Sequence, residues 1–255
     1  MTTYRRFVAL GDSVTEGIGD DLHPDGTPQG WADRLAVRLA AASPDLRYAN
    51  LAVRGKLTRA IRLEQLDAAR ALEPDLVGVV AGMNDLIRPR FDVGAVTDDV
   101  EHMVSTLRGE GAAVLMMTFP DLSAVSPVGR LLRTRVLALN SALRAVAARQ
   151  EAVILDVREA PSSGDPRLWA DDRLHLNAAG HTMLAEAMGS VLGVPSDGAW
   201  RDPLPPPAPR NLRVRVQTEA TWLRGHLGPW IGRRVTGRSS GDGRTAKAPA
   251  LRPVV

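Results

Sequence analysis

The sequence contains no cysteine. Disulfide bonds, thiolate metal sites and a thiol nucleophile are therefore excluded. It also has no apolar run that approaches the roughly 18 residues of a membrane-spanning helix. Because the first residues, Met1 to Arg6, lead almost at once into a strand-like segment rather than a signal peptide, we expect a cytoplasmic protein.

Lysine is scarce, with 2 lysines against 30 arginines, a bias typical of GC-rich coding that does not by itself indicate nucleic-acid binding. The positive charge is concentrated in residues 201–255, which carry 11 Lys or Arg against 3 Asp or Glu and leave residues 1–200 at −5. A basic tail on an acidic body predicts either packing on its own core or contact with an anionic partner. A non-enzymatic interaction protein, docking through this tail, is therefore one alternative.

Metal and nucleotide motifs are missing as well. The sequence has no HExxH, and the glycine-rich stretch from Gly11 to Gly19 is not followed by the lysine of a P-loop. His175 and His181 lack the one-turn spacing of a helical zinc site. The sequence therefore predicts no metal and no cofactor.

Apolar runs suited to buried parallel strands alternate with helical patterns. The predicted strands are Phe7–Leu10, Tyr48–Leu51, Leu76–Ala81, Ala113–Thr118 and Val153–Asp156. The predicted helices are Trp31–Ala42, Thr58–Leu72, Asp98–Gly109, Gly129–Gln150 and Asn177–Leu192. This alternation predicts an α/β protein with three layers, α/β/α, built on a five-stranded, parallel, doubly wound, flavodoxin-like sheet with a C-terminal extension. Right-handed crossovers bring the carboxyl ends of such strands to one rim.

The segment from Pro203 to Pro209 is rich in proline and cannot continue a helix. We therefore expect a catalytic-type domain over residues 1–195, a proline-rich linker over 196–210 and a basic extension over 211–255. Within the extension, we expect Asn211 to Val235 to pack as an amphipathic element and Gly237 to Val255 to be mobile.

One serine lies where a parallel sheet places its active site, because Ser13 follows the first predicted strand. A serine hydroxyl needs an adjacent base, which histidine usually supplies and a carboxylate orients. His175 precedes the last helix, and Asp172 lies three residues upstream, so that one turn can present both groups. The neighbouring Asp171 is the weaker candidate for the carboxylate.

Two further positions offer hydrogen-bond donors to an oxyanion. Gly55 follows the second predicted strand, and Asn84 follows the third. We interpret Asp85 as a brace for the loop of Asn84, and Asp12 as a supporting residue beside the serine. These residues follow separate strands, so a parallel sheet would gather them at one rim.

Four blocks in this order resemble those of the SGNH hydrolases, also called the GDSL esterase and lipase family. They are GDS at residues 11–13, a glycine at 55, GMND at 82–85 and DRLH at 172–175, and the resemblance covers roughly residues 5–193. The resemblance implies the following roles: Ser13 as nucleophile and amide donor, Gly55 as second amide donor, Asn84 as side-chain donor, His175 as base and Asp172 as its orienting partner. Val14 departs from the pattern, since leucine often follows the serine.

The chemistry expected of this site is hydrolysis of a small-molecule carboxylic ester through an acyl-enzyme on Ser13. Deacetylation of a carbohydrate or metabolite, and thioester hydrolysis, use the same site and stay open as alternatives. The acyl pocket would be built from the loops Ile18–Gln29, Arg88–Gly94 and Phe119–Val128, which mix polar and apolar residues without a strong bias.

Overall fold

Strands and helices alternate in the computed structural model, which describes residues 3–206 and 240–254. The strands are β1 (Arg6–Gly11), β2 (Arg47–Asn50), β3 (Leu76–Val80), β4 (Ala113–Met117), β5 (Val153–Leu155) and β6 (Ala248–Pro253). The α-helices are α1 (Ser13–Glu16), α2 (Gly30–Ala40), α3 (Thr58–Arg70), α4 (Met83–Leu86), α5 (Val93–Gly109), α6 (Pro127–Arg149) and α7 (Ala178–Val191).

The strands form one sheet in the order β5-β4-β3-β1-β2-β6. The first five strands are parallel to one another, with Phe7 of β1 opposite Tyr48 of β2 and Leu76 of β3. The predicted doubly wound, flavodoxin-like sheet of five parallel strands is therefore confirmed. The carboxyl ends of β1, β2 and β3 consequently lie at one rim.

The sixth strand, β6, was not predicted. It pairs antiparallel with β2, with Arg252 opposite Tyr48 and Pro253 opposite Arg47. The prediction of a mobile end from residue 237 onwards is therefore wrong for β6, because its backbone satisfies the open hydrogen-bonding edge of β2. The amphipathic element predicted over residues 211–235 lies outside the described residues.

The predicted linker over residues 196–210 begins within the packed domain. Trp200 is buried in the main core, and the Leu204 amide donates to Ser162 Oγ at 2.8 Å. The boundary expected near Pro195 is therefore corrected, since residues 196–206 continue along the surface of the domain.

The helices cover both faces of the sheet. Helices α2 and α7 pack together on one face, whereas α3, α5 and α6 pack in succession on the other. Helix α2 buries Trp31, Leu35 and Leu39, which recur along one side of the helix and join the core. Among the helices of the described residues, none has both the length and the apolar character needed to cross a membrane.

Candidate active site

Ser13 lies at the junction between β1 and α1. Strand β1 ends at Gly11, and Asp12 caps the following helix because its Oδ1 accepts a hydrogen bond from the Val14 amide at 3.1 Å. Ser13 is the first residue of that helix, so its amide has no helical carbonyl to bind. With only 9% of the residue exposed, a hydroxyl and an amide donor share a nearly buried position at the rim.

Gln65 fixes the end of β1 from helix α3. Its Oε1 accepts from the Gly11 amide and its Nε2 donates to the Gly11 carbonyl, both at 2.9 Å. Because the side chain binds both backbone groups of one residue, the position at which the chain turns toward Ser13 is held on two sides.

Asp172 and His175 come together within one turn. Asp172 Oδ2 lies 2.6 Å from His175 Nδ1, and Asp172 Oδ1 accepts the amides of Leu174 at 2.9 Å and His175 at 3.1 Å. Burial raises the pKa of the Asp172 carboxyl, but these hydrogen bonds and the His175 charge outweigh burial and bring the pKa to about 2. Asp171, the other candidate, is exposed. The Asp172 carboxylate is thus ionised and holds one ring nitrogen of His175.

Asn84 is brought against Asp12. The Asn84 Nδ2 donates to Asp12 Oδ2 at 2.9 Å and to the Lys56 carbonyl at 3.1 Å. Both hydrogens of the amide nitrogen are therefore engaged within the protein. The same Asp12 carboxylate that caps the helix of Ser13 thus also orients the predicted side-chain donor.

The burial of Asp12 perturbs its titration. Burial raises the pKa of the Asp12 carboxyl to about 6, and the Val14 amide, a charge on His175 and the Asn84 amide act in the opposite direction.

Gly55 is positioned by a carboxylate that the sequence interpretation did not identify. Glu16, in helix α1, is buried; its Oε2 accepts from the Arg54 amide at 2.6 Å, and its Oε1 accepts from Arg54 Nε at 2.9 Å. Glu16 therefore ties the helix of Ser13 to the residue before Gly55. The available signal was an acid in the same turn as the serine, with an arginine beside the second glycine.

Asp85 links the loop of Asn84 to helix α3. Its Oδ2 accepts from the Thr58 amide at 3.0 Å and from Thr58 Oγ1 at 2.8 Å. Burial raises the pKa of the Asp85 carboxyl. The contact joins the loop after β3 to the start of α3.

The other described histidines occupy different places. His181 is buried, with its Nδ1 accepting from the Trp31 amide and its Nε2 donating to the Ile18 carbonyl, both at 3.2 Å. Burial lowers the pKa of His181 to about 4, so the ring is neutral. His102 is exposed on α5, and His23 binds Asp33. His226 lies outside the described residues.

An apolar pocket of about 40 Å³ lies beside these groups. Its wall includes Val14, which follows Ser13, and Met83, which precedes Asn84. Further lining residues are Met117, Phe119, Trp169, Leu176 and Met183. Of the three loops expected to build the acyl pocket, this pocket takes only Phe119 and Pro120, from the loop Phe119–Val128.

The sequence matches one family model over about two thirds of its length. The model of the GDSL-like lipase/acylhydrolase family covers residues 9–183, and therefore all of the predicted site residues. No curated protein sequence matches this chain.

Solved structures share the fold. TesA is 24% identical, with 74% of this chain and 98% of TesA covered and a TM-score of 0.61. LAE5, described as an α/β hydrolase enzyme from the metagenome of Lake Arreo, Spain, is 23% identical over 76% of this chain and 97% of that chain, with a TM-score of 0.62. Axe2, an acetylxylan esterase from Geobacillus stearothermophilus, is 17% identical over 76% and 97% of the two chains, with a TM-score of 0.63.

Proposed function

Since the chain belongs to the GDSL-like lipase/acylhydrolase family and is a carboxylic ester hydrolase, we propose that it cleaves its ester through an acyl-enzyme on Ser13. The observation that carries this proposal is the 2.6 Å hydrogen bond between Asp172 and His175, which commits Nδ1 to the carboxylate and assigns Nε2 to the serine. Catalytic mutants of Axe2 include substitutions of a serine, and of an aspartate and a histidine three residues apart, the spacing found here.

In the first half of the reaction, Ser13 Oγ attacks the ester carbonyl carbon and its proton moves to His175 Nε2. The tetrahedral intermediate collapses, the bond to the alcohol breaks, and the departing alkoxide takes that proton. In the second half, water attacks the acyl-enzyme and gives a proton to His175. Release of the acid returns the proton to Ser13. Asp172 stays ionised throughout, as its low pKa requires.

The negative charge on the tetrahedral oxygen needs donors that are already in place. We assign the Ser13 amide, the Gly55 amide and the Asn84 side chain to this task. The longer of the two Asn84 hydrogen bonds, 3.1 Å to the Lys56 carbonyl, is the one that yields to the oxyanion. The bond to Asp12 then keeps the amide oriented during the reaction.

The apolar pocket supports a substrate with an apolar acyl chain. Val14 and Met83, the residues adjacent to the proposed nucleophile and donor, form part of its wall. Its small volume favours short chains, whereas the methionines that line it can adapt their shape to a few more carbons. We therefore propose esters of short apolar acids ahead of acetylated carbohydrates.

Labelling by a fluorophosphonate probe, with mass spectrometry of the modified peptide, tests the nucleophile. We expect the label on Ser13, and we expect Ser13→Ala to lower kcat by a factor of about 10³ or more while the fold is retained. Ser43→Ala, in the turn after α2, serves as the matched control and keeps full activity. Full activity in Ser13→Ala, or labelling of another residue, would overturn the proposal.

A substrate panel tests the acyl preference. Aryl esters of increasing chain length are compared with acetylated sugars by kcat/KM. An optimum at short apolar chains supports the proposal, whereas a higher kcat/KM for the acetylated sugars contradicts it.

A further inference from the structure

Lys247 is a buried cation at the start of β6. Only 3% of its side chain is exposed, and its ammonium group has three partners. Nζ donates to the carbonyls of Pro28 at 2.6 Å and Gln29 at 2.5 Å, and lies 2.9 Å from Asp33 Oδ1. A buried ammonium is tolerated only when it is paired and hydrogen-bonded. Here all three of its hydrogens have acceptors.

The segment that carries Lys247 lies beyond the part of the chain that matches the family. The family model ends at residue 183, and the solved structures named above cover about three quarters of the chain. Residues 240–254 therefore lie outside the region that the family model matches. Their contacts are with β2, with the start of α2 and with Arg54, the residue before Gly55.

One route from the ammonium leads to the helix of Ser13. Asp33 Oδ1 also accepts from Tyr48 OH at 2.7 Å, and Tyr48 OH accepts from Asn50 Nδ2 at 2.9 Å. Asn50 Nδ2 in turn donates to the Thr15 carbonyl at 2.8 Å. These groups are buried, so the chain of bonds is shielded from competing water. It ends two residues after Ser13.

A second route runs through the backbone. The two carbonyls bound by the ammonium belong to the residues just before Gly30, the first residue of α2. Gly30 packs against Gly17, the residue that caps the C-terminus of α1. The two backbones are so close that a Cβ added to Gly17 would clash, at 2.6 Å from Gly30 Cα. Because these two backbones touch, a shift of the loop held by the ammonium displaces the end of α1.

The same segment also packs against the loop that carries Gly55. Gly241 approaches the Arg54 carbonyl so closely that a Cβ at position 241 would lie 2.0 Å from the oxygen. Arg54 immediately precedes Gly55 and is held on its other side by Glu16. The segment therefore contacts the Gly55 loop directly, at Arg54, and is linked to the Ser13 helix through the two routes above.

We propose that Lys247 is a positioning residue for ester hydrolysis, through which the segment of residues 240–254 holds the Ser13 helix and the Gly55 loop in their reactive arrangement. This inference rests on the proposed function of Ser13. It assigns the C-terminal segment to the catalytic domain rather than to an independent tail, and it requires no contact between Lys247 and the substrate.

The first test replaces Lys247 by methionine, which keeps the length of the side chain and removes its charge. In the full-length protein we expect kcat, and the rate of fluorophosphonate labelling of Ser13, to fall by about 10- to 100-fold, while KM changes by less than about threefold. Arg244→Met, an exposed cation of the same segment, is the control and keeps both values. Rates are measured well below the melting temperature and per folded molecule. An unchanged kcat and labelling rate in Lys247→Met, with only a lower melting temperature, overturns the inference.

The second test is chemical rescue, which the absence of native cysteine makes specific. Lys247→Cys is alkylated while unfolded and then refolded, either with bromoethylamine, which rebuilds an ammonium of nearly lysine length, or with iodoacetamide, which adds a neutral amide. We expect kcat to recover only with the ammonium. Equal activity of the two alkylated forms overturns the inference.

If the Lys247 variants do not fold, Tyr48→Phe provides the readout, because it removes one hydroxyl from the first route and keeps the ring. We expect a lower kcat and labelling rate with little change in KM, and wild-type values of both overturn the inference. The wild-type enzyme separates the two proposals: absence of Ser13 labelling there refutes the function, whereas normal labelling in every Lys247 and Tyr48 variant refutes only the positioning role.

Discussion

Asp12 Oδ2 accepts a hydrogen bond from Asn84 Nδ2 at 2.9 Å, so one buried carboxylate serves two parts of the site. The other oxygen of Asp12 caps the helix that begins with Ser13. A change at either residue is therefore transmitted to the other, and the effects of substituting both should not be additive.

Removing the Asn84 amide tests its place in the oxyanion site. Asn84→Ala should lower kcat by about 10²- to 10³-fold, because one preorganised donor is lost at the point where charge develops. KM should change little, since the ground-state ester carries no charge there. Steady-state kinetics on an aryl ester gives both constants. A loss confined to KM would contradict the assignment.

The effect on stability of replacing Asp12 by asparagine should depend on pH. Burial raises the pKa of Asp12 from 3.8 to about 6, so the stability associated with its protonated form is present below pH 3.8 and is lost as the pH rises through 6. Above that range the buried charge costs up to about 3 kcal/mol. Asparagine has one acceptor oxygen for the two donors, the Val14 amide and Asn84 Nδ2, so the loss of the other acceptor applies equally at both pH values. We expect the change in the free energy of unfolding caused by Asp12→Asn to be about 1–3 kcal/mol more favourable at pH 8 than at pH 4. Urea denaturation at the two pH values measures this, and an equal effect at both would refute it.

Asp172→Asn should lower kcat by about 10³- to 10⁴-fold, because the imidazole loses the carboxylate that fixes its tautomer and orientation. The matched control is Asp171→Asn at the exposed neighbouring position, which should keep wild-type kinetics.

Asp172 also contributes to stability, with a pKa lowered to about 2. This contribution is present above pH 3.8 and is lost as the pH falls through 2, so Asp172→Asn should lose stability at neutral pH but not at pH 2. Comparable kcat losses in Asp172→Asn and Asp171→Asn would contradict the assignment of Asp172 as the partner of His175.

His181 should make the protein sensitive to mild acid. Burial lowers the pKa of its imidazole from 6.5 to about 4, so the stability of the neutral form is complete above pH 6.5 and is lost as the pH falls toward 4, by up to about 3 kcal/mol. Asp12 acts in the opposite direction over much of this range and masks the loss. We therefore expect a steep acid loss in Asp12→Asn that disappears when His181→Gln is added. The exposed His102→Gln should leave the loss in place, and an unchanged slope with His181→Gln would refute the prediction.

Filling the apolar pocket should shorten the preferred acyl chain. Met183→Trp adds bulk to the wall, and it should lower kcat/KM for an octanoyl ester by about tenfold or more relative to an acetyl ester. Leu137→Trp, at an exposed position on α6, is the control and keeps the ratio. The ratio of kcat/KM for the two esters measures the effect. If Met183→Trp reduces both values equally, the pocket does not hold the acyl chain.

Ser13 and Asn84 could be placed at the rim because each follows an apolar run, and parallel strands end at one rim of the sheet. His175 lies well beyond β5 and was chosen because it precedes the last helix, with Asp172 three residues upstream. The α/β class and the five parallel strands followed from the alternation of strands and helices. What the sequence could not reveal is the use of the Asn84 hydrogens, since the contacts with Asp12 and Lys56 join three separate loops. Such contacts leave no local pattern.

The C-terminal strand, β6, could not be predicted from the sequence for two physical reasons. Two prolines within the six residues of β6 depress its strand propensity, and they are tolerated because the strand lies at the edge of the sheet. The burial of Lys247 depends on acceptors as far as 219 residues away in the sequence. A lysine beside alanine and proline gives no local sign of such a partner, so the segment was expected to be mobile.

The placement of β6 also bears on self-association. Without it, β2 would expose its backbone amides and carbonyls at the edge of the sheet, where a strand of another molecule could add. In the described part of the chain β6 takes over that edge, and its prolines, Pro249 and Pro253, have no amide hydrogen to donate to an incoming strand. The opposite edge, β5, is only three residues long. The sheet is therefore protected at both ends against the edge-to-edge pairing that begins aggregation.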